Sequence, residues 1–163
     1  MKTLWVEKYR PQTVDEYVFK DSVLRQQVTN WIEEKSIPHL LFSGSPGTGK
    51  TTLAKLLCLA MEVEEADTFY INASRENRVE DMRTKINNFS QTMPWGDFKV
   101  IILDEPTSSL DEESKLYVFN LIKMMKETKT LIIISHDKSF KTIMDRLVIF
   151  DKGSIISDTI LNN

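Results

Sequence analysis

HLLFSGSPGTGKTTLAKLL, residues 39–57, is the stretch whose reading decides the fold. It opens on a short apolar run, HLLFS (39–43), suited to a buried strand. It closes in a helix, because Leu53, Leu56, Leu57, Ala60 and Met61 recur at helical spacing. Between the two, Gly44, Gly47 and Gly49 fall within six residues, three of the five glycines in the chain. GSPGTGKT (44–51) fits G-x-x-x-x-G-K-[ST], in the strand–loop–helix context that the motif requires. Glycines let the backbone curl around phosphate oxygens, and the amides and helix N-terminus supply partial positive charge. Gly44, Ser45, Pro46, Gly47, Thr48, Gly49, Lys50, Thr51 and Thr52 are therefore the candidate polyphosphate cradle. Lys50 is placed for the β- and γ-phosphates, and the Thr51 hydroxyl for Mg²⁺. The expected ligands are Mg²⁺ with ATP or ADP. The bland alternative is a glycine-rich turn, which the flanking strand and helix disfavour.

Outward from this stretch the pattern repeats. TFYINA (68–73) reads as a strand, and Val79, Met82, Ile86 and Phe89 mark one face of a helix. TMPWGD (92–97) is a turn, and FKVIILD (98–104) is a continuous apolar strand of the kind covered on both sheet faces. Val118, Leu121, Ile122 and Met125 mark another helix. TLIIIS (130–135) is a fourth strand, a short helix follows near 138–144, and RLVIFD (146–151) is a fifth strand. Ahead of them all, Leu24, Val28, Trp31 and Ile32 form a helix that Asp21 could cap. Such alternation predicts a mostly parallel sheet with helices on both faces, with ligands at the carboxyl ends of the strands.

Two further segments sit at those ends. Asp104 and Glu105 terminate the third strand, and SHD (135–137) terminates the fourth. Asp104 is expected to hold the metal through a bound water, and Glu105 to polarise the attacking water. His136 can hydrogen-bond the γ-phosphate or that water; a solvent-facing histidine is the alternative. Catalytic candidates are thus Glu105, His136 and Lys50, and metal candidates Thr51 and Asp104. His39 reads as structural and Cys58 as packing.

Composition sets bounds. A length of 163 residues favours a single domain, 1–163, with a real core. A net charge of −3 gives no overall nucleic-acid signature. One cysteine excludes an internal disulfide and fits a reducing, cytoplasmic setting. No signal peptide is read at the N-terminus, and no apolar run reaches the roughly 18 residues of a membrane span.

Two family resemblances follow from the residues. Residues 1–104 resemble the AAA+ module of a sliding-clamp loader, close to a T-even phage type. LWVEKYRPQTVDEYV, HLLFSGSPGTGKTTLAKLL, INASRENRVEDMRTKI and FKVIILDE carry that likeness. From about residue 104 onward the chain resembles the tail of an ABC-type ATPase. ILDEPTSSLDEES resembles its acidic strand and D-loop, where Asp111 falls, LIIISHD its switch-histidine strand, and DRLVIFDKGSII its closing strand and hairpin. Both resemblances imply a P-loop NTPase three-layer αβα sandwich with a five-stranded sheet in the order 5-1-4-3-2. The clamp-loader likeness also implies that Tyr9, Arg10, Pro11 and Val18 lie by the base, with a packing arm as the alternative. It points to Arg78, Arg83 and Lys85 as DNA-tracking residues, although a solvated helix face is the plainer reading and the isolated chain is not expected to bind DNA. The ABC likeness makes Arg146 structural.

The shared ILDE is a natural crossover, because both families carry one extra strand between the phosphate-loop strand and the acidic strand. The expectation is a recombined chain, 1–104 joined to 105–163, made deliberately; a natural hybrid is the alternative. No helical lid is read after residue 151, only a short tail, and the Leu-Ser-Gly-Gly-Gln segment of ABC enzymes is not found. Nucleotide binding should therefore outlast turnover, with ATP hydrolysis slow or undetectable, in a monomer or weak homodimer. The rivals are a folded scaffold without useful nucleotide affinity and a clamp-loader-like component that needs partners.

Overall fold

The computed structural model describes residues 9–19, 22–72, 79–108, 110–152 and 154–161; the proposed cap Asp21 and the arginine Arg78 lie outside them. Helix α1 spans Ser22–Glu33, followed by β1 (Leu40–Gly44), α2 (Lys50–Ala60), β2 (Thr68–Asn72) and α3 (Val79–Gln91). Then come β3 (Val100–Asp104), α4 (Glu112–Lys126), β4 (Thr130–Ile134), β5 (Arg146–Asp151) and β6 (Ser154–Ile160). The short helix expected near 138–144 is a 3₁₀ turn, Lys138–Thr142, capped by the Asp137 carboxylate on the Ser139 amide.

The sheet order is β2-β3-β4-β1-β5-β6. Strands β1 to β5 run parallel in the order expected, with β3 and β4 placed between β2 and the phosphate-loop strand. The difference lies at the edge. Residues beyond 151 are not merely a tail, because β6 folds back antiparallel on β5 and makes the sheet six-stranded. Its seat has a specific cause: the Arg146 guanidinium donates to both Asp158 oxygens, at 2.6 and 2.7 Å.

Strand β3 shows why the sheet is filled from both sides. Val100 and Ile102 bury into one core with Leu53 and Leu57 of α2 and Val28 of α1. Ile101 and Leu103 bury into the other with Ile86 of α3 and Ile122 of α4. Alternation at period two sends successive side chains to opposite layers. Each fully buried aliphatic contributes about 1.5–3 kcal/mol of transfer free energy, so a run such as VIIL anchors both layers at once. Helix α4 starts where Asp111 accepts from the Ser114 amide at 2.9 Å. Glu112 and Glu113 in its first turn, with Lys123 and Lys126 in its last, complement the helix dipole.

Residues from before and after 104 meet along β1. His39 accepts from the amides of Asp145 and Arg146 at 3.0 and 3.2 Å. Its own amide donates to Asp145 Oδ2 at 3.1 Å, and its Nδ1 accepts from the Leu131 amide at 3.2 Å. Lys126 completes the cluster with a 2.7 Å contact to Asp145 Oδ1. His39 is thus structural, and it ties β1 to both of its sheet neighbours.

Candidate functional site

The sheet turns its carboxyl edge to a cavity of about 470 Å³. Pro46 to Thr52 line it from the loop and the first turn of α2, Asp104 and Glu105 from the end of β3, and Ile134 and His136 from the end of β4. Tyr9, Arg10 and Pro11 close it from the N-terminal arm. Segments as far apart in sequence as residues 9 and 136 therefore share one cavity. Gly44 and Ser45 stand behind the lining, where they hold the lysine. Val18 is 70% exposed and does not line the cavity.

The loop geometry follows from its glycines at two positions. Gly47 has φ +75, and a Cβ there would meet nothing within 4 Å. Gly49 has φ +94, ends the loop as the N-cap of α2, and would bring a Cβ within 2.8 Å of the Tyr17 hydroxyl. That tyrosine is half-buried, its ring tilted against Phe19 with centroids 4.9 Å apart, and burial pushes its phenol up to about 12. Tyr17 thus pins the arm against the loop. No sequence pattern points to it, because contact with a glycine backbone leaves none.

Lys50 is 7% exposed, and its ammonium donates to the carbonyls of Gly44 and Ser45 at 2.6 and 2.7 Å. Burial lowers its pKa, while the carboxylates of Glu105 and Asp104 act in the opposite sense. The lysine is held in the loop as a charge ready to be handed to an anion.

Across the cavity floor the Thr51 hydroxyl donates to Asp104 Oδ2 at 2.9 Å. Donation through hydrogen leaves the Thr51 oxygen lone pairs available. Thr51 and Asp104 together offer hard oxygen donors, the chemistry that Mg²⁺ selects. Among the described residues no three His, Cys, Asp or Glu side chains converge as a metal cage. A second donor to Asp104 Oδ2 is the Tyr70 hydroxyl, at 3.0 Å. Tyr70 was not a site candidate from sequence; a tyrosine in a strand reads only as a good β-former.

Glu105 holds a left-handed backbone, φ +51, unusual for a residue with a side chain. Its amide donates to the Ile134 carbonyl at 2.7 Å, which locks the turn after β3 onto β4. Burial raises the pKa of its carboxyl, against the pull of His136. His136 is exposed, with Nε2 3.8 Å from Glu105 Oε1. A carboxylate with raised basicity beside an imidazole can accept a proton from water and orient it. Of the proposed DNA-tracking residues on α3, Arg83 lies over the Tyr117 ring of α4 at 5.5 Å.

Comparison with known proteins agrees with this geometry. The profile of the ATPase family associated with various cellular activities (AAA) matches residues 40–152. The replication factor C small subunit of Methanococcus maripaludis is 49% identical over 109 residues, 64% of this chain and 34% of that protein. Its namesake from Thermofilum pendens is 34% identical over 152 residues, 90% of this chain and 46% of that protein. The chain thus spans between about a third and about half of the curated relatives it matches. Among solved structures, the Thermotoga maritima RuvB Holliday junction branch migration motor superposes with TM-score 0.62 at 15% identity, over 88% of this chain and 49% of that one. A bacterial ABC transporter cassette, solved as a dimer, superposes with TM-score 0.55 at 14% identity, over 77% and 86%. Likenesses at that identity concern the fold. No helix among the described residues is long and apolar enough to cross a membrane.

Proposed function

The chain belongs to the AAA family of ATPases, and on that premise we propose that it binds Mg²⁺–ATP or Mg²⁺–ADP and hydrolyses ATP slowly. One observation carries the reading: Thr51 and Asp104, 53 residues apart, meet at 2.9 Å on the floor of a cavity that also holds Lys50, Glu105 and His136. Gly44 to Thr52 would hold the phosphates, with Lys50 exchanging its loop carbonyls for phosphate oxygens. Thr51 and Asp104 would hold Mg²⁺, which when bound neutralises charge developing on the phosphoryl oxygens. Glu105 takes the proton of the attacking water, and His136 orients it. Tyr9, Arg10 and Pro11 would flank the base. Arg10 is the single arginine among the described lining residues, and it belongs to this arm. An arginine supplied by a partner contributes about 10³–10⁵ in rate, so turnover by the isolated chain is slow.

The same reading includes a recombined origin, with residues 1–104 and 105–163 drawn from two P-loop lineages. The likenesses quoted from the sequence, which change character at ILDE, are what support it. The match to the first relative covers 64% of the 163 residues, about 104 of them. The match to the second relative, at 34% identity over 90% of this chain, necessarily runs past residue 104. The AAA profile runs through the joint, which accords with a core common to both lineages.

A second reading is favoured by the relatives themselves, which are named as small subunits: a clamp-loader-like component that turns over ATP only with partners. Titration of labelled ATP with Mg²⁺ tests the first reading. Binding by the wild type and its loss in Lys50→Ala is the expected result, and an affinity unchanged by the substitution overturns it. A rise in phosphate release on adding primed DNA and a sliding clamp would favour the second.

A further inference from the structure

We propose that Tyr70 is a positioning residue for the divalent-cation site, acting through Asp104; this rests on the nucleotide-binding reading above. The sheet geometry puts it there. Ile71 buries in the core beneath α3 and α4, with Phe69 packed against it, so alternation turns Tyr70 to the opposite face, towards α2. In the β2–β3 register Tyr70 stands opposite Ile102, and Asn72 opposite Asp104. Asp104 is therefore the diagonal neighbour two residues on, a distance that an aromatic side chain can span and a short one cannot. The phenol closes that diagonal with its 3.0 Å hydrogen bond to Oδ2. The ring is itself fixed from α2, where the Lys55 ammonium lies 4.4 Å from its centroid.

Asp104 Oδ2 thus receives two hydroxyl donors, Thr51 and Tyr70, from two different elements. Thr51 alone would leave the carboxylate free to swing about its terminal torsion, which is broad for an aspartate. The second donor sets the plane of the carboxylate before any cation arrives. Outer groups of this kind orient a ligating side chain, and their removal weakens metal binding by about 10- to 100-fold. Tyrosine at 70 supplies what phenylalanine could not, a donor, and what glutamate could not, a group that does not repel Asp104.

The test is Tyr70→Phe, which keeps the ring and its contact with Lys55 and removes the hydroxyl. ADP affinity is measured against Mg²⁺ concentration and again in excess EDTA. The expected result is a Mg²⁺ half-saturation raised about tenfold, with metal-free ADP affinity within about twofold of wild type. An unchanged Mg²⁺ dependence overturns the proposal. So does a parallel loss of metal-free affinity, which would mark Tyr70 as merely structural. Wild-type protein that binds no ADP at all would overturn the nucleotide reading, and this inference with it.

Discussion

A Cβ on Gly44 would sit 1.9 Å from the carbonyl oxygen of Phe150. Gly44 ends β1 and pairs with Phe150 on β5, so the two strands approach here with no room for a methyl group. The glycine also holds φ +129. Gly44→Ala is expected to destabilise the protein by about 3 kcal/mol or more, because overpacking and a forced left-handed backbone each cost about 1–3 kcal/mol. The measurement is the denaturant midpoint at unchanged slope. A midpoint equal to wild type would show that β5 does not pack against the loop strand in this register.

Glu105→Gln separates binding from chemistry. The amide keeps the size of the side chain and loses the proton acceptor. Mg²⁺–ATP affinity should stay close to wild type, while residual phosphate release falls by about 10²-fold or more. Equal release by the two proteins would remove Glu105 from the proton-accepting role. Glu105→Gly should in turn raise stability by about 1 kcal/mol, since it relieves the left-handed strain at φ +51.

The Arg146–Asp158 pair is partly buried, each side chain 17% exposed, and bidentate. Arg146 also lies over the Trp31 ring of α1 at 5.1 Å. Asp158→Ala should cost about 2–4 kcal/mol, because it strands a guanidinium in the β5–β6 hairpin. Arg146→Met combined with Asp158→Leu should recover most of that loss. A double-mutant cycle by thermal or denaturant melting decides the matter, and additivity of the two single changes would show the pair to be uncoupled.

His39 should make the fold sensitive to mild acid. Burial holds its pKa below the usual 6.5, with Asp145 opposing and Lys126 assisting. The unfolded chain then takes up a proton at a higher pH than the folded one. The stabilisation is present in full above pH 6.5 and is lost as pH falls from there towards the folded pKa. Protonation at Nδ1 also removes the acceptor for the Leu131 amide. Comparing midpoints at about pH 8 and about pH 5.5 should show a drop in the wild type and a smaller one in His39→Gln. Equal drops would assign the acid sensitivity elsewhere.

Local patterns that carry their own chemistry were legible from residue types alone. The phosphate loop, the acids closing β3 and the histidine closing β4 come together as their strand ends required, and the parallel order of five strands stands. Contacts between distant residues were not legible. Tyr70 depends on a register with a strand about thirty residues away, and Tyr17 on a close approach to Gly49. The ABC likeness of DRLVIFDKGSII implies a hairpin here, but the residue pattern alone gives no strand at 154–160, because SIISDTI neither alternates cleanly nor carries a turn signal other than Gly153. What seats it is the partner of Arg146, an ion pair invisible to hydrophobic periodicity. His39 reads as structural from sequence, but its role as an acceptor for strand amides depends on β4 and β5 flanking β1.

That outermost hairpin also governs how the molecule meets its own copies. A sheet ending at β5 would show a straight row of unsatisfied amides and carbonyls, a template for fibrous stacking. β6 covers the row, and the register shift between Ile149 and Phe150 bends the new rim so that a flat strand laid along it falls out of step. Asp158 turns a charge inward at the same place. Resistance to aggregation at this edge is therefore vested in β6, none of whose residues is among those lining the cavity.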